Sequence, residues 1–262
     1  MGFLRELFQF SVQYITLTGL IYELLDLPAK IVYLFKRCFG HDFSDQNDVI
    51  EVSDQTYHEF PSKTIQEQVI ICIHGSSSCP LQWSYTLPEL RRMYPHHSII
   101  LPNLSRKDLS FNDYFSFLDK LVCELNENRI RISAIIGTSM GGLLAAWIAE
   151  KSIPYSTQVI TINTPFRGAP ALRFLPLKAK RYQSMHPDAS FLSGLAEMIQ
   201  LSKHRYLFIV AQDDFQVPPA FGSTEARMSQ ILCFRGGHTS ALIRVEPYWK
   251  IIRDKLKSYQ SV

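Results

Sequence analysis

A serine set among glycines is the feature of this sequence best suited to chemistry. Ser139 lies in the run GTSMGG at residues 137–142, which follows an apolar stretch and precedes a stretch rich in Leu and Ala. A G-x-S-x-G motif between a strand and a helix makes a sharp turn that lifts the serine hydroxyl above the sheet. The helix amino terminus beneath it favours a developing negative charge. The pattern therefore predicts that Ser139 is a nucleophile.

A nucleophilic serine needs a base to take its proton and an acid to orient that base. His238 follows the last predicted strand in the run GGHT, and we predict that it is the base. Asp213 and Asp214 both end the preceding strand, and both are candidates for the acid. We favour Asp214, because the Val217-Pro218 pair beyond it lets the chain turn away, whereas Asp213 can brace the loop.

Backbone N–H groups near the serine must also stabilise the oxyanion of a tetrahedral intermediate. Met140, the residue after the nucleophile, should donate one of them. The second should come from Ser76, in the loop HGSSS that follows a buried apolar run at residues 69–73. His74, which opens that loop, is interpreted as a structural residue that holds it by a hydrogen bond.

Apolar runs along the chain define the elements that must position these residues. The runs are continuous rather than alternating, which is typical of strands covered on both faces in a mostly parallel sheet. The predicted strands are 48–52, 69–73, 97–101, 130–136, 158–162, 206–211 and 230–234. Helical patterns follow at 111–125, 141–151 and 239–259. Residues 48–262 are therefore predicted to form one α/β domain.

Composition narrows the class of protein. Of 262 residues, 46% are hydrophobic, which excludes a disordered chain. Basic and acidic residues nearly balance, at 27 against 24, so charge gives no support for a nucleic-acid partner. The five cysteines are scattered, without the close spacing of a metal site or a redox pair. Free thiols fit a reducing compartment, so we expect a cytoplasmic protein. The chemistry predicted at Ser139 implies no metal or organic cofactor.

Residues 1–47 form a separate segment that is rich in aromatic side chains. Its apolar residues fall on more than one helical face, and its uncharged run at residues 7–22 is too short and too polar for a membrane span. We predict two short helices in a hairpin. Apolar helices of this kind need a partner, and two remain open: the main domain, or a membrane surface that would make the protein membrane-associated.

Together, these motifs resemble the α/β-hydrolase superfamily, and within it the lipase-like branch of triacylglycerol lipases and inositol deacylases. The resemblance rests on IHG at 73–75, GTSMGG at 137–142, INTPFRGAP at 162–170, and the chain order Ser139, Asp214, His238. It implies an α/β-hydrolase fold, in which a mostly parallel central sheet is flanked by helices. It also implies a helical cap at about 166–205. The resemblance does not extend to the N-terminal helical appendage, residues 1–47. Thr138 departs from the family, since many lipases have His or Tyr before the serine.

The motifs and the resemblance predict a serine hydrolase that cleaves carboxylic esters, of lipids or other acyl compounds, through an acyl-enzyme. A phospholipase, a thioesterase or an acyltransferase would use the same residues, and a binding protein could keep the fold without turnover. The expected partner is a small-molecule or lipid ester. The apolar residues of the cap suit either contact with an acyl chain or packing for stability, and both remain open.

Overall fold

Seven parallel strands form the sheet at the centre of the computed structural model, which describes residues 17–28, 30–31, 49–52, 67–106, 109–174, 180–243 and 249–254. They are β1 (Val49–Val52), β2 (Gln68–Ile73), β3 (Ser98–Pro102), β4 (Arg131–Thr138), β5 (Gln158–Ile162), β6 (Arg205–Ala211) and β7 (Ser229–Phe234). Their order is β1-β3-β2-β4-β5-β6-β7, and every pair of neighbours is parallel. All the strands predicted from apolar runs are present, with small shifts at their ends.

Helices cover both faces of this sheet. The described helices are α1 (Leu17–Leu25), α2 (Leu87–Met93), α3 (Phe111–Glu127), α4 (Met140–Ser152), α5 (Lys180–Gln183), α6 (Ser190–Gln200) and α7 (Ser240–Ile243), and residues 249–254 are also helical. Side chains of α3, α4 and α6 pack on one face. Side chains of α2 and α7 pack with Trp249 on the other. The predicted α/β architecture, a parallel sheet flanked by helices, is confirmed.

The five inner strands, β2 to β6, are largely buried on both faces because their sequences are apolar without alternation. β3 and β5 are buried at every residue, and β2 is buried at every residue after the first. Successive side chains of β2 lie on opposite faces of the sheet. Val69 and Ile71 pack on the face that α3 covers, whereas Ile70 and Cys72 pack on the face that α2 covers. Burial raises the pKa of the Cys72 thiol, so this cysteine is a packed apolar residue rather than a reactive one.

The region predicted as a cap, about 166–205, packs on the α3–α4 side of the sheet where it is described. The buried side of α6 belongs to that apolar layer. Phe191 lies beside Phe111 of α3, with ring centroids 5.2 Å apart. Residues 175–179, in the middle of the region, lie outside the described residues. The described part of this region therefore adds packing to the core.

The N-terminal segment is described from residue 17. Its helix α1, followed by helical residues 27–28 and 30–31, overlaps the first helix of the predicted hairpin. The rest of the predicted second helix, residues 32–39, lies outside the described residues. In the described part of the chain, no helix is both long enough and apolar enough to span a bilayer.

The turn between β4 and α4 is tight and strained. Ser139 has φ 53° and ψ −124°, a conformation that residues other than glycine rarely adopt and that costs about 1–3 kcal/mol. A Cβ on Gly137 would lie 2.2 Å from the carbonyl oxygen of Gly141. A Cβ on Gly141 would lie 2.3 Å from the carbonyl oxygen of Ile73 in β2. A side chain at either position would overlap with backbone atoms, so both positions of the motif require glycine.

Gly137→Ala should destabilise the fold, because the new Cβ would meet backbone atoms that have no rotamer to change. We expect a loss of about 1–3 kcal/mol or more in the free energy of unfolding, the usual cost of overpacking, measured by urea denaturation. Gly194→Ala in α6 is the matched control, since a Cβ there meets nothing within 4 Å. It should raise stability by about 0.5–1 kcal/mol, because Ala is the better helix former. Equal stability of the two variants would contradict the steric role of Gly137.

Candidate active site

The predicted catalytic residues lie at the carboxyl edge of the sheet. Ser139 follows β4, Asp214 lies beyond the end of β6, and His238 lies beyond the end of β7. The carboxyl ends of parallel strands share one edge, so these loops meet there although the residues are far apart in sequence. A cavity of about 350 Å³ opens beside them, and Ser139 and His238 both line it.

A short hydrogen bond joins His238 to Asp214. His238 Nδ1 lies 2.6 Å from Asp214 Oδ2, and because the carboxylate accepts, Nδ1 carries the proton and Nε2 is the basic nitrogen. Asp214 Oδ1 accepts the backbone N–H groups of Gln216 at 2.8 Å and Val217 at 3.0 Å. Both His238 and Asp214 are buried. The carboxylate is therefore fixed by its own loop while it orients the imidazole.

The neighbouring aspartate has a different set of partners. Asp213 Oδ2 accepts Arg235 Nε–H at 2.9 Å and the Gly236 N–H at 3.2 Å, and its Oδ1 accepts from Arg235 Nη2 at 3.2 Å. These bonds brace the loop that leads from β7 to His238. Of the two candidate acids, Asp214 contacts His238, and Asp213 holds the loop.

The pKa of His238 results from opposing effects. Burial of the ring lowers it, and the charge and hydrogen bond of Asp214 raise it. The carboxylate of Glu23 also raises it, while the ammonium of Lys30 lowers it. The pKa of His238 is raised overall above the ordinary histidine value of 6.5. His238 therefore needs a higher pH than a free histidine to become a neutral base.

The loop after β2 lies against the serine. A Cβ on Gly75 would lie 3.4 Å from Ser139 Cβ, and Ser76 lines the same cavity as Ser139. Met140 is the first residue of α4, so its N–H has no acceptor within the helix. The two residues predicted to donate to an oxyanion, Ser76 and Met140, therefore both lie near Ser139.

His74 fixes the shape of this loop. Its Nε2 accepts the Leu104 N–H at 2.9 Å, so its Nδ1 carries the proton and donates to the Gly75 carbonyl at 2.8 Å. The Ser78 N–H donates to the same carbonyl at 3.2 Å, and Gln82 Oε1 accepts the Gly75 N–H at 3.0 Å. His74 thus acts on the conformation of the loop, as its sequence position suggests.

Asn163, which the sequence analysis gives no role, holds the backbone of His238. Its Nδ2 donates to the His238 carbonyl at 2.7 Å, and its Oδ1 accepts the Ala211 N–H at 2.8 Å. Asn163 is buried and has φ 48°, which asparagine tolerates better than most residues. Its sequence signal is its place directly after β5 in the run INTPFRGAP.

The N-terminal segment also reaches the site. Glu23 Oε1 accepts the His238 N–H at 3.3 Å, and Asp26 Oδ2 accepts the Ser240 hydroxyl at 2.7 Å. Lys30 forms an ion pair with Glu23 and lines the cavity. The described part of the segment therefore contacts the α/β domain. No sequence motif marks Glu23 or Asp26, because their partners His238 and Ser240 lie more than 200 residues further along the chain.

The chain belongs to the alpha/beta hydrolase family, whose model matches residues 70–256, more than half of its length. No curated protein sequence matches the chain. Within the described residues, no group of three or more His, Cys, Asp and Glu side chains is suited to holding a metal ion.

Solved structures share this fold at low sequence identity. A structure from the work on LipS and LipT, two metagenome-derived lipolytic enzymes, has a TM-score of 0.57 and 16% identity over 74% of this chain and 94% of that chain. A lipase-esterase related protein from Clostridium acetobutylicum has a TM-score of 0.53 and 16% identity over 74% and 94%. A monoacylglycerol lipase from Paleococcus ferrophilus has a TM-score of 0.51 and 13% identity over 72% and 92%.

Asp214→Asn should lower the pKa of His238, because it removes the nearest negative charge while the ring stays buried. The measurement is an NMR titration of the His238 ring proton on Cε1. Asp213→Asn is the matched control and should leave that pKa near its wild-type value, since Asp213 bonds to Arg235 and Gly236. A larger effect from Asp213→Asn than from Asp214→Asn would reverse the assignment of the acid.

Proposed function

We propose that this chain hydrolyses carboxylic esters through a covalent acyl-enzyme, with Ser139 as the nucleophile and His238 as the general base and acid. Asp214 orients His238. The observation that carries the proposal is the 2.6 Å contact between His238 Nδ1 and Asp214, made at the wall of a cavity that Ser139 also lines. A serine beside an oriented imidazole is the arrangement that acyl transfer needs.

In the first half of the reaction, Ser139 Oγ attacks the ester carbonyl carbon while His238 Nε2 takes the hydroxyl proton. The carbonyl π electrons move onto oxygen, and the N–H groups of Ser76 and Met140 stabilise this oxyanion. When the oxyanion collapses, the bond between the carbonyl carbon and the alcohol oxygen breaks. The imidazolium of His238 protonates the leaving alcohol, and the acyl group stays on Ser139.

In the second half, His238 Nε2 takes a proton from water as the water oxygen attacks the acyl carbon. Collapse of the second oxyanion releases the carboxylic acid, and the Ser139 oxygen regains its proton from the imidazolium. Asp214 holds the imidazole tautomer and stabilises the imidazolium in both halves. The Oδ1 atom of Asp214 has two backbone N–H partners, which hold this carboxylate in place.

Lipid or other acyl esters are the proposed substrates. Leu242 and Ile243 of α7 line the cavity beside His238 and provide an apolar wall for an acyl chain. No described residue of the region 166–205 lines the cavity, so the acyl contact is assigned to α7. Proteins of this fold include the monoacylglycerol lipase from Paleococcus ferrophilus, which agrees with placing the chain in the lipase-like branch.

Ser139→Ala should lower kcat on a short-chain p-nitrophenyl ester by about 10⁴-fold or more, because it removes the nucleophile. A fluorophosphonate probe should label the wild-type chain and fail to label the variant. Ser193→Ala, on the exposed side of α6, is the matched control and should react as the wild type does. Wild-type turnover by Ser139→Ala would contradict the mechanism. A wild-type chain that is not labelled would favour a binding protein with this fold.

We further propose that the N-terminal segment brings the cavity next to a lipid surface. Exposed large apolar side chains are concentrated in its described part: Leu17, Leu20, Ile21, Leu24, Leu25, Leu27 and Ile31. The helical spacing of the five within α1 places them on one side of that helix, and we call this side, together with Leu27 and Ile31 beyond it, the apolar face of α1. Leu17 and Leu24, on this face, are 74% and 67% exposed.

The charged side chains of the same stretch lie on the opposite side, towards the α/β domain. Glu23 and Asp26 bond to the loop of His238. Lys30 pairs with Glu23 and lines the cavity. The apolar face therefore carries no charge in the described residues. Lys36 and Arg37, a few residues further along the chain, favour anionic headgroups. The proposed occupant of the apolar face is therefore the surface of a bilayer that contains anionic lipid.

Replacing Leu20 and Leu24 together by Ser should weaken binding to vesicles of phosphatidylcholine with a minority of phosphatidylglycerol. We expect a loss of about 10²-fold or more in the vesicle partition coefficient, since each buried Leu contributes about 1.5–3 kcal/mol and every 1.4 kcal/mol is about tenfold. Flotation of the full-length chain measures it. Leu201→Ser, at an exposed leucine beyond α6, is the matched control and should float like the wild type. Equal flotation of all three proteins would contradict the proposal.

A further inference from the structure

The loop that contains His238 is hydrogen-bonded to two carboxylates of the N-terminal segment, one in α1 and one directly after it. The Glu23 carboxylate accepts the backbone N–H of His238 at 3.3 Å. The Asp26 carboxylate accepts the hydroxyl of Ser240 at 2.7 Å, and Ser240 Oγ in turn accepts the N–H of Gly237 at 2.9 Å. Residues on both sides of His238 are thus connected to α1 and the residue after it.

This contact is closely packed. Asp26 and Ser240 are both fully buried, and the Glu23 side chain is mostly buried. A Cβ on Gly237 would lie 2.9 Å from Glu23 Oε1, so a side chain there would push the carboxylate away. Buried carboxylates are stable only when their oxygens are bonded, and here the bonds go to the loop of the catalytic base.

With Glu23 included, three side chains hold His238 at three different groups. Asp214 bonds the ring at Nδ1, Asn163 bonds the main-chain carbonyl, and Glu23 bonds the main-chain N–H. Each of the three comes from a different part of the fold. Only Nε2 remains for the reaction, and its direction is set by all three contacts together.

We propose that Glu23 is a positioning residue for His238, supported by Asp26 through Ser240, and that α1 is therefore part of the catalytic site. This inference rests on the proposed function, because it assigns a role relative to His238 as the base. Residues 17–28 and Lys30 then belong to the wall of the active site, and are not only an appendage on the domain. Misplacing a catalytic group by about 1 Å can cost 10²-fold in rate, so such a wall is important for turnover.

The charges of the same helix act on the base as well. The charged groups that face His238 are Asp214, Glu23 and Lys30. The carboxylate of Glu23 favours the imidazolium and raises the pKa of His238, whereas the ammonium of Lys30 opposes it and lowers that pKa. The ion pair of Glu23 with Lys30 balances the two effects. Removing either partner should therefore move the pKa of His238, in opposite directions.

The test compares Glu23→Gln, Lys30→Gln and Glu23→Ala in the full-length chain. His238 must be neutral to act as a base, so the acid limb of the pH profile of kcat/KM follows its pKa. Glu23→Gln should shift this limb to lower pH, and Lys30→Gln should shift it to higher pH. Glu23→Ala also removes the acceptor of the His238 N–H and should lose about tenfold in kcat with little change in KM. Glu23→Gln, which keeps an acceptor oxygen, should lose less kcat than Glu23→Ala.

Glu197→Gln, on the exposed side of α6, is the charge-matched control and should leave the acid limb in place. An NMR titration of His238 in the same variants gives a readout that does not require turnover. Shifts in the same direction for Glu23→Gln and Lys30→Gln, or no shift in either, would overturn the inference even if the wild type is active. Failure of the proposed function is a different result, namely no Ser139-dependent turnover in the wild type while the two shifts of the His238 pKa are still measured.

Discussion

Close backbone contact between the β4–α4 turn and the end of β2 is the constraint on which the rest of the site depends. Because Gly141 has no side chain, the first turn of α4 rests against the carbonyl of Ile73. Ser139 is bound on the other side, where its N–H donates to the Ile162 carbonyl of β5 at 2.8 Å. The strained conformation of Ser139 persists because strands on both sides and a helix behind hold it. The serine and the Gly75 loop consequently share one rigid frame.

The proposed base, His238, is held by hydrogen bonds and charge rather than by close contacts between backbone atoms. Burial alone would leave the imidazole neutral, and the carboxylate of Asp214 makes its protonated form accessible. Such a balance suits a residue that must both accept and return a proton within one cycle. Two fixed elements then meet at the cavity: the proposed nucleophile, Ser139, which is positioned by steric exclusion, and the proposed base, His238, which is positioned by hydrogen bonds and charge.

Much of this site could be predicted from the sequence because its determinants are local. The glycines that Ser139 requires are within a few residues of it, and the strands are continuous apolar runs that need no partner to be recognised. The sequence alone distinguishes Asp213 from Asp214 less well, since the pairing of Asp213 with Arg235 depends on how β6 and β7 lie side by side. Two adjacent aspartates at a strand end have the same sequence signal, and only their partners in the folded structure distinguish them.

Other parts could not be predicted, for physical reasons that differ from one residue to the next. Asn163 sits in a recognisable motif, but its task depends on the carbonyl of a residue in another loop. Glu23 and Asp26 are ordinary helix residues whose partners are more than 200 positions away. For the region 166–205, an amphipathic helix has the same sequence pattern whether its apolar side faces substrate or core, and only the packing of α6 distinguishes them.

The contact of Glu23 with His238 joins positions 215 residues apart in a chain of 262. Contacts of such long sequence separation form late in folding, since the conformational entropy of the intervening chain must be lost first. A chain emerging from the ribosome has its serine turn complete long before its histidine is available. The proposed site therefore comes together only after residue 238 has been synthesised, and a shorter nascent chain lacks the proposed base.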